Sequence, residues 1–255
     1  MKLLVDMGNS TMKWATISDG LLSHAASLSY EKLTQQLDSA WQSLNKPESI
    51  VVSCVAHEQQ WQELSQFTDT LWGMTPERII SPGKGNGVTN IYQQPENLGS
   101  DRWAALVAAH ELYDSDVCIV DCGTALTIDL LSANGQHLGG VIVPGAQMMQ
   151  NSLHLNTAAL PQPTSDLLDT LDQQYWGQDT QSGIIKGSWL ALAGVVRQVH
   201  EQYAKQSEKL TCILCGGGIR PLLAYLAKDM DVDIELEPVL VLKGLALIAG
   251  EKIKA

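Results

Sequence analysis

Residues 117–145 read VCIVDCGTALTIDLLSANGQHLGGVIVPG, and this stretch decides the fold. An apolar, β-rich run reaches Asp121, glycine turns the chain at Gly123, and ALTIDLL returns as a second strand. Asn134-Gly135 then makes a second reversal, because both residues tolerate the backbone angles of tight hairpin turns. GGVIVP completes a third strand before helix-prone residues 144–154.

The start of the chain opens in the same way. KLLVDMGNSTMKWATISDG, residues 2–20, places Asp6 at a strand end, then one residue, Gly8, small polar residues and a second strand. An internal repeat of this kind predicts two related α/β halves. No linker rich in Pro, Gly or Ser separates them, so residues 1–115 and 116–255 are expected as two domains meeting at a cleft hinge.

Between the two openings the sequence predicts a helix over 30–46 (Leu33, Leu37, Trp41 and Leu44 at helical spacing), a strand at SIVVSCVA, a helix from Gln59 to Leu71 and a strand at PERIISPG. Gly83, Gly85 and Gly87 punctuate a loop to Tyr92, and DRWAALVAAHELY, residues 101–113, has no helix breaker. After residue 154 come a Pro-, Thr- and Asp-rich loop to about Gly183 and a long helix from Ile184 to about Gln206. KLTCILC then forms a strand running into Gly216, RPLLAYLAK a helix, residues 232–237 a short strand, and VLVLKGLALIAGEKI a closing helix. That last helix is expected to pack back on the first domain.

Composition narrows the function. The chain has 255 residues, of which 45% are hydrophobic, enough for a large buried core. Its net charge of -12 repels phosphate backbones and anionic lipid, which argues against nucleic acid and membrane surfaces as partners. No apolar run approaches the roughly 20 residues of a membrane span, and the N-terminus reads as a strand and not as a signal peptide. Cys212 and Cys215 form a C-x-x-C, but strand alternation puts their sulfurs on opposite faces. Buried, reduced cysteines and a cytoplasmic location are expected.

Both Asp-x-Gly turns make sense as phosphate sites. Gly8 and Gly123 let backbone N–H groups approach phosphate oxygens, while Asn9, Ser10 and Thr124 add side-chain donors. Asp6 is placed to hold Mg²⁺ through water, and Lys13 to return over the hairpin as a point charge. Either turn alone is an ordinary β-turn; the pair favours a nucleotide site. NLGSDRW, residues 97–103, has two readings. Ser100 or Asp101 caps the following helix, or Asp101 is a general base and Arg102 an anion clamp; residue chemistry alone favours the cap. GGVIVPG (139–145) and CGGGI (215–219) suit a nucleoside or sugar lying against backbone, or simply tight turns. No G-x-G-x-x-G follows the first strand and no G-x-x-x-x-G-K-[ST] occurs, which disfavours Rossmann and P-loop folds.

Taken together, DMGNSTMK, GSDRW, DCGTALTID and GGVIVPG with LHLNTAALP resemble, in order and spacing, the motifs of type III pantothenate kinases, members of the acetate and sugar kinase, Hsp70 and actin superfamily. The resemblance implies an α/β fold of two actin-like (ribonuclease H-like) domains, each a mixed sheet flanked by helices, with the active site in the cleft between them. It implies ATP-dependent phosphorylation of pantothenate, with Asp101 as base and Tyr92, Gly99, Ser100, Asp101, Arg102 and Thr180 holding the substrate. Asp6, Met7, Gly8, Asn9, Ser10, Thr11, Met12, Lys13 and Thr124 would bind ATP with Mg²⁺, and Asp121 a monovalent cation, K⁺ or NH₄⁺. The contact matching Thr180 lies near a dimer interface in the family, so a homodimer is implied. Ser10 stands where threonine is usual, and CGGGI lacks an acidic residue that often follows its glycines. Two further readings are a regulator resembling the Bvg accessory factors and an actin-like kinase of another hydroxyl substrate such as a sugar.

Overall fold

The computed structural model describes residues 1–163, 176–227 and 234–254. The chain divides into two compact units, one of Met1–Leu112 with Asn134–His137 and Val239–Ala255, the other of Tyr113–Ala133 with Leu138–Pro238.

Unit 1 is built on β1 (Lys2–Met7), β2 (Thr11–Ser18), β3 (Leu21–Ser29), α1 (Leu33–Trp41), β4 (Ile50–Cys54), α2 (Glu58–Trp72) and β5 (Glu77–Arg78). The sheet order is β3-β2-β1-β4-β5, antiparallel from β3 to β1 and parallel from β1 to β5. β3 has no counterpart in the sequence expectations. LLSHAASLS lacks the β-branched and aromatic residues that mark strands, and its pairing with β2 along Thr11↔Ser29 to Ser18↔Leu21 makes it one. α1 and α2 cover one face, where Trp41 is fully buried, edge-on to Trp14 and stacked on Trp72. Truncating such a residue to alanine costs about 3–5 kcal/mol.

The loop after β5 contains a small antiparallel pair, β6 (Lys84–Gly85) with β7 (Val88–Thr89), and a 3-10 turn at Pro95–Asn97. It leads into α3 (Ser100–Leu112), buried from Trp103 to Ala109 and thus apolar on nearly every side.

Unit 2 contains β8 (Asp116–Cys122), β9 (Ala125–Leu131), β10 (His137–Pro144), α4 (Ala146–Leu155), α5 (Thr180–Ala204), β11 (Leu210–Cys215), α6 (Ile219–Leu226) and β12 (Ile234–Leu236). Its sheet order is β10-β9-β8-β11-β12, the order of the first sheet repeated. The repeat expected from the two Asp-x-Gly openings is therefore present in the topology. α5 begins at Thr180, four residues before the predicted start, because Asp179 and Ser182 form a reciprocal capping box there. Ile185, Trp189, Leu192, Ala193 and Val196 of α5 pack on Cys118, Val120 and Leu214 of the sheet. Much of the predicted loop before α5 and residues 232–233 lie outside the described residues. All five cysteines are free and buried.

α7 (Leu240–Ile248) belongs to unit 1 and lies against α3 so closely that a Cβ on Gly244 would stand 1.9 Å from the Ala104 carbonyl oxygen. Among the described residues no helix is long and apolar enough to cross a membrane.

Candidate active site

The first Asp-x-Gly turn joins β1 to β2. Asp6 pairs across the ladder with Lys13 and Met7 with Met12, and the Gly8 N–H donates to the Thr11 carbonyl at 3.1 Å. Asn9, Ser10 and Thr11 are left exposed, whereas the Met7 and Met12 side chains are fully buried in the core. Those two methionines therefore offer only backbone to a ligand. Tyr30, just beyond β3, donates its hydroxyl to the Gly8 carbonyl at 2.7 Å. Burial raises the Tyr30 pKa, with the Cys54 and Asp6 charges adding, so the phenol stays a protonated donor.

The GSDR segment is fixed to the same end of the sheet. β4 runs parallel to β1 with Ser53 opposite Asp6 and Cys54 opposite Met7. The buried Ser100 hydroxyl accepts from the Cys54 N–H at 3.0 Å and shares a 3.0 Å hydrogen bond with Ser53. This ties the first turn of α3 beside the Asp6 turn. Asp101 Oδ1 accepts from the Arg102 N–H at 2.8 Å, and a Cβ on Gly99 would lie 2.5 Å from that oxygen, so a side chain there would displace the Asp101 carboxylate. Arg102 is 8% exposed, donates Nη1 to the Tyr92 hydroxyl at 2.9 Å, and holds its guanidinium carbon 5.7 Å from the Tyr92 ring centroid. Such a hold fixes the planar fork that recognises carboxylates. Tyr92 is set in turn by its N–H on Asn90 Oδ1, and Asn90 by the Pro82 and Pro95 carbonyls.

In unit 2 the second turn joins β8 to β9. The Gly123 N–H donates to the Ala125 carbonyl at 3.0 Å, leaving Gly123 and Thr124 exposed. The two weak glycine motifs pack against it. The Gly218 N–H donates to the Cys122 carbonyl at 2.8 Å and the Gly145 N–H to the Thr124 carbonyl at 3.0 Å. Gly216, at φ +90°, would set a Cβ 2.4 Å from Asp121 Oδ1, and Gly218 one 2.5 Å from Cys122 Sγ. Burial, followed by the Asp121 charge, pushes the Cys122 thiol up to about 12. Thr180 is exposed at the first position of α5.

The structure thus gathers Asp6, Gly8, Asn9, Ser10, Ser100, Asp101 and Arg102 at one end of the first sheet, and groups Asp121 and Thr124 with both glycine motifs in unit 2. Sequence reading missed Tyr30, Ser53 and His137, the last stacked on Tyr92. No local signal marks them, because each acts on a partner distant in sequence. The half-buried Asp6 carboxylate beside exposed hydroxyls is an all-oxygen donor set of the kind Mg²⁺ accepts while keeping its waters.

Two sheets of one strand order, each with an Asp-x-Gly turn after its first strand, define an actin-like α/β fold of the sugar kinase and ATPase type. Solved structures support this. The chain aligns with a conserved putative Baf family transcriptional activator from Campylobacter jejuni at TM-score 0.58 and 21% identity, covering 98% of each chain. It aligns with the activator of the 2-hydroxyisocaproyl-CoA dehydratase from Clostridium difficile at TM-score 0.58 and 12% identity, covering 97% of this chain and 93% of that one. The family model for type III pantothenate kinase matches residues 2–202. A type III pantothenate kinase from Nitrosococcus oceani is 34% identical over 262 residues, covering 100% of this chain and 96% of the relative. The chain belongs to the type III pantothenate kinase family.

Proposed function

We propose that this chain transfers the γ-phosphoryl group of ATP to the hydroxyl of pantothenate, giving 4'-phosphopantothenate, the first step of coenzyme A biosynthesis. Family membership along the whole chain carries the reading. The arrangement of Asp6, Asp101 and Arg102 in unit 1 is consistent with it. Asp101 takes the proton from the attacking hydroxyl, Arg102 pairs the pantothenate carboxylate, and Tyr92, Gly99, Ser100 and Thr180 complete the substrate contacts. Ser100 acts chiefly through its backbone, its hydroxyl being held by β4. Asp6 to Lys13 and Thr124 hold the nucleotide. Asp6 would hold Mg²⁺, which would supply charge neutralisation for a loose phosphoryl transition state, and Asp121 would take K⁺ or NH₄⁺.

The same reading includes a homodimer in the cytoplasm. In unit 2, Leu138, Val141 and Ile142 of the edge strand β10, Met148, Leu153 and Leu155 of α4, and Leu190 of α5 are exposed. Among the described residues no strand pairs with the outer side of β10, and exposed apolar side chains on β10, α4 and α5 favour a second copy as cover. Sedimentation at micromolar concentration tests this, and a monomer rejects it.

A coupled ATP assay with pantothenate, Mg²⁺ and either Na⁺ or NH₄⁺ tests the activity. No turnover of pantothenate in NH₄⁺ rejects the assignment. Asp101→Asn lowers kcat by about 10²–10⁴-fold with the thermal midpoint unchanged. Near-normal turnover by that variant leaves Asp101 only its place in the first turn of α3.

A further inference from the structure

The turn between β9 and β10 carries a side chain that the catalytic reading leaves out. Asn134–Gln136 lie between two strands of the second sheet and His137 opens the second of them, yet Asn134–His137 belongs to unit 1. The Thr89 N–H donates to the Gly135 carbonyl at 2.8 Å, and Thr89 and Gln136 form an isolated parallel bridge. Gly135, at φ +81°, would set a Cβ 2.1 Å from the Gly87 carbonyl oxygen, so backbone meets backbone with no room for a side chain. The turn is therefore clamped onto the loop that carries Tyr92. From this clamp His137 is fully buried and its ring stacks on Tyr92, with centroids 5.9 Å apart and planes at 22°. The Tyr92 hydroxyl accepts from Arg102 Nη1 at 2.9 Å, and Arg102 follows Asp101 directly in the chain.

We propose that His137 is a positioning residue for the acceptor substrate, its ring backing Tyr92 so that the phenol and the Arg102 guanidinium stand ready for an anionic hydroxy acid. The inference rests on Tyr92 and Arg102 touching that acceptor. Tyr92 is only half-buried and turns about two side-chain torsions. A ring behind it removes that freedom before the ligand arrives, which is where preorganisation gains affinity. Ring stacking shifts an equilibrium by about 2- to 12-fold, and that sets the size of the effect. Because His137 acts through Tyr92, it alters how well the acceptor is held and leaves the nucleotide turns untouched.

Steady-state kinetics with both substrates varied tests it on three variants. His137→Ala is expected to raise the acceptor KM by up to about 12-fold while the ATP KM and kcat move by less than about 2-fold. His137→Phe, which keeps a flat ring, restores most of the loss; His137→Asn, which keeps polar atoms without a ring, does not. Rescue by Asn and not by Phe overturns the proposal, as does an ATP KM that moves in step with the acceptor KM. Should the alanine variant not fold, the Phe and Asn variants decide it alone. No turnover of pantothenate by the unaltered chain removes the acceptor reading and this inference together. Normal wild-type turnover with an unaffected His137→Ala removes the inference only.

Discussion

The two Asp-x-Gly turns share a sequence pattern and a place in their sheets, yet they are supported in opposite ways. The Asp6 turn is open: Asn9, Ser10 and Thr11 are exposed, and one phenol, Tyr30, props the Gly8 carbonyl from behind. The Asp121 turn also leaves Gly123 and Thr124 exposed, but glycine backbone packs behind it, with Gly145, Gly216 and Gly218 each closer to it than any side chain would allow. An open turn with hydroxyl and amide donors suits a ligand that comes and goes with each reaction cycle. A turn backed by glycine backbone holds its carboxylate in one place, which fits the monovalent cation proposed there. On the proposed reading, similar residues would serve different ions because of what packs behind them.

The sharpest way to break this comparison is to neutralise each carboxylate in turn. Asp6→Asn is expected to lower kcat by about 10²-fold or more. Added Mg²⁺ relieves the loss only in part, and added NH₄⁺ not at all. Asp121→Asn instead raises the K⁺ or NH₄⁺ needed for half-maximal rate and is relieved by more of that ion. Initial rates over both ion titrations check this, and a shared ion response rejects the division. Next in size is an exchange of glycines. Gly216→Ala, forced to φ +90° against Asp121, should destabilise by about 1–3 kcal/mol in denaturant unfolding. Gly8→Ala, whose Cβ would meet the Thr11 carbonyl oxygen at 3.2 Å, should cost less than about 1 kcal/mol. Tyr30→Phe removes one hydrogen bond from the open turn and raises the ATP KM by about 2- to 12-fold with kcat nearly unchanged. The smallest effect is at Cys122. Cys122 is 2% exposed and burial pushes its thiol up to about 12, so maleimide is expected to label it far more slowly in the folded chain than after unfolding.

What the sequence made legible follows from how local each signal is. The runs ending at Asp6 and Asp121, their glycines and the Asn134-Gly135 reversal carry their conformation within a few residues, so β1, β2, β8, β9 and β10 could be read directly. β3 could not, since Ser and Ala give a strand no side-chain signature and pairing with β2 alone defines it. CGGGI looked like any glycine turn because its meaning lies in Asp121 and Cys122, over ninety residues earlier. Tyr30, Ser53 and His137 were hidden for the same reason. Asp101 sits between these cases: its place at the head of a helix was visible, but nothing local separates a cap from a base.

The packing of α7 on α3 has a consequence for how the chain is made. Gly244 meets Ala104 backbone, and Leu240, Leu242, Leu245 and Ala246 are buried in unit 1. During synthesis the first unit thus leaves the ribosome without its closing helix and waits on the order of 10 s for it at ordinary elongation rates. For that interval the apolar face of α3 is open to solvent. The unit whose opening strands are translated first is also the one whose last helix is translated last.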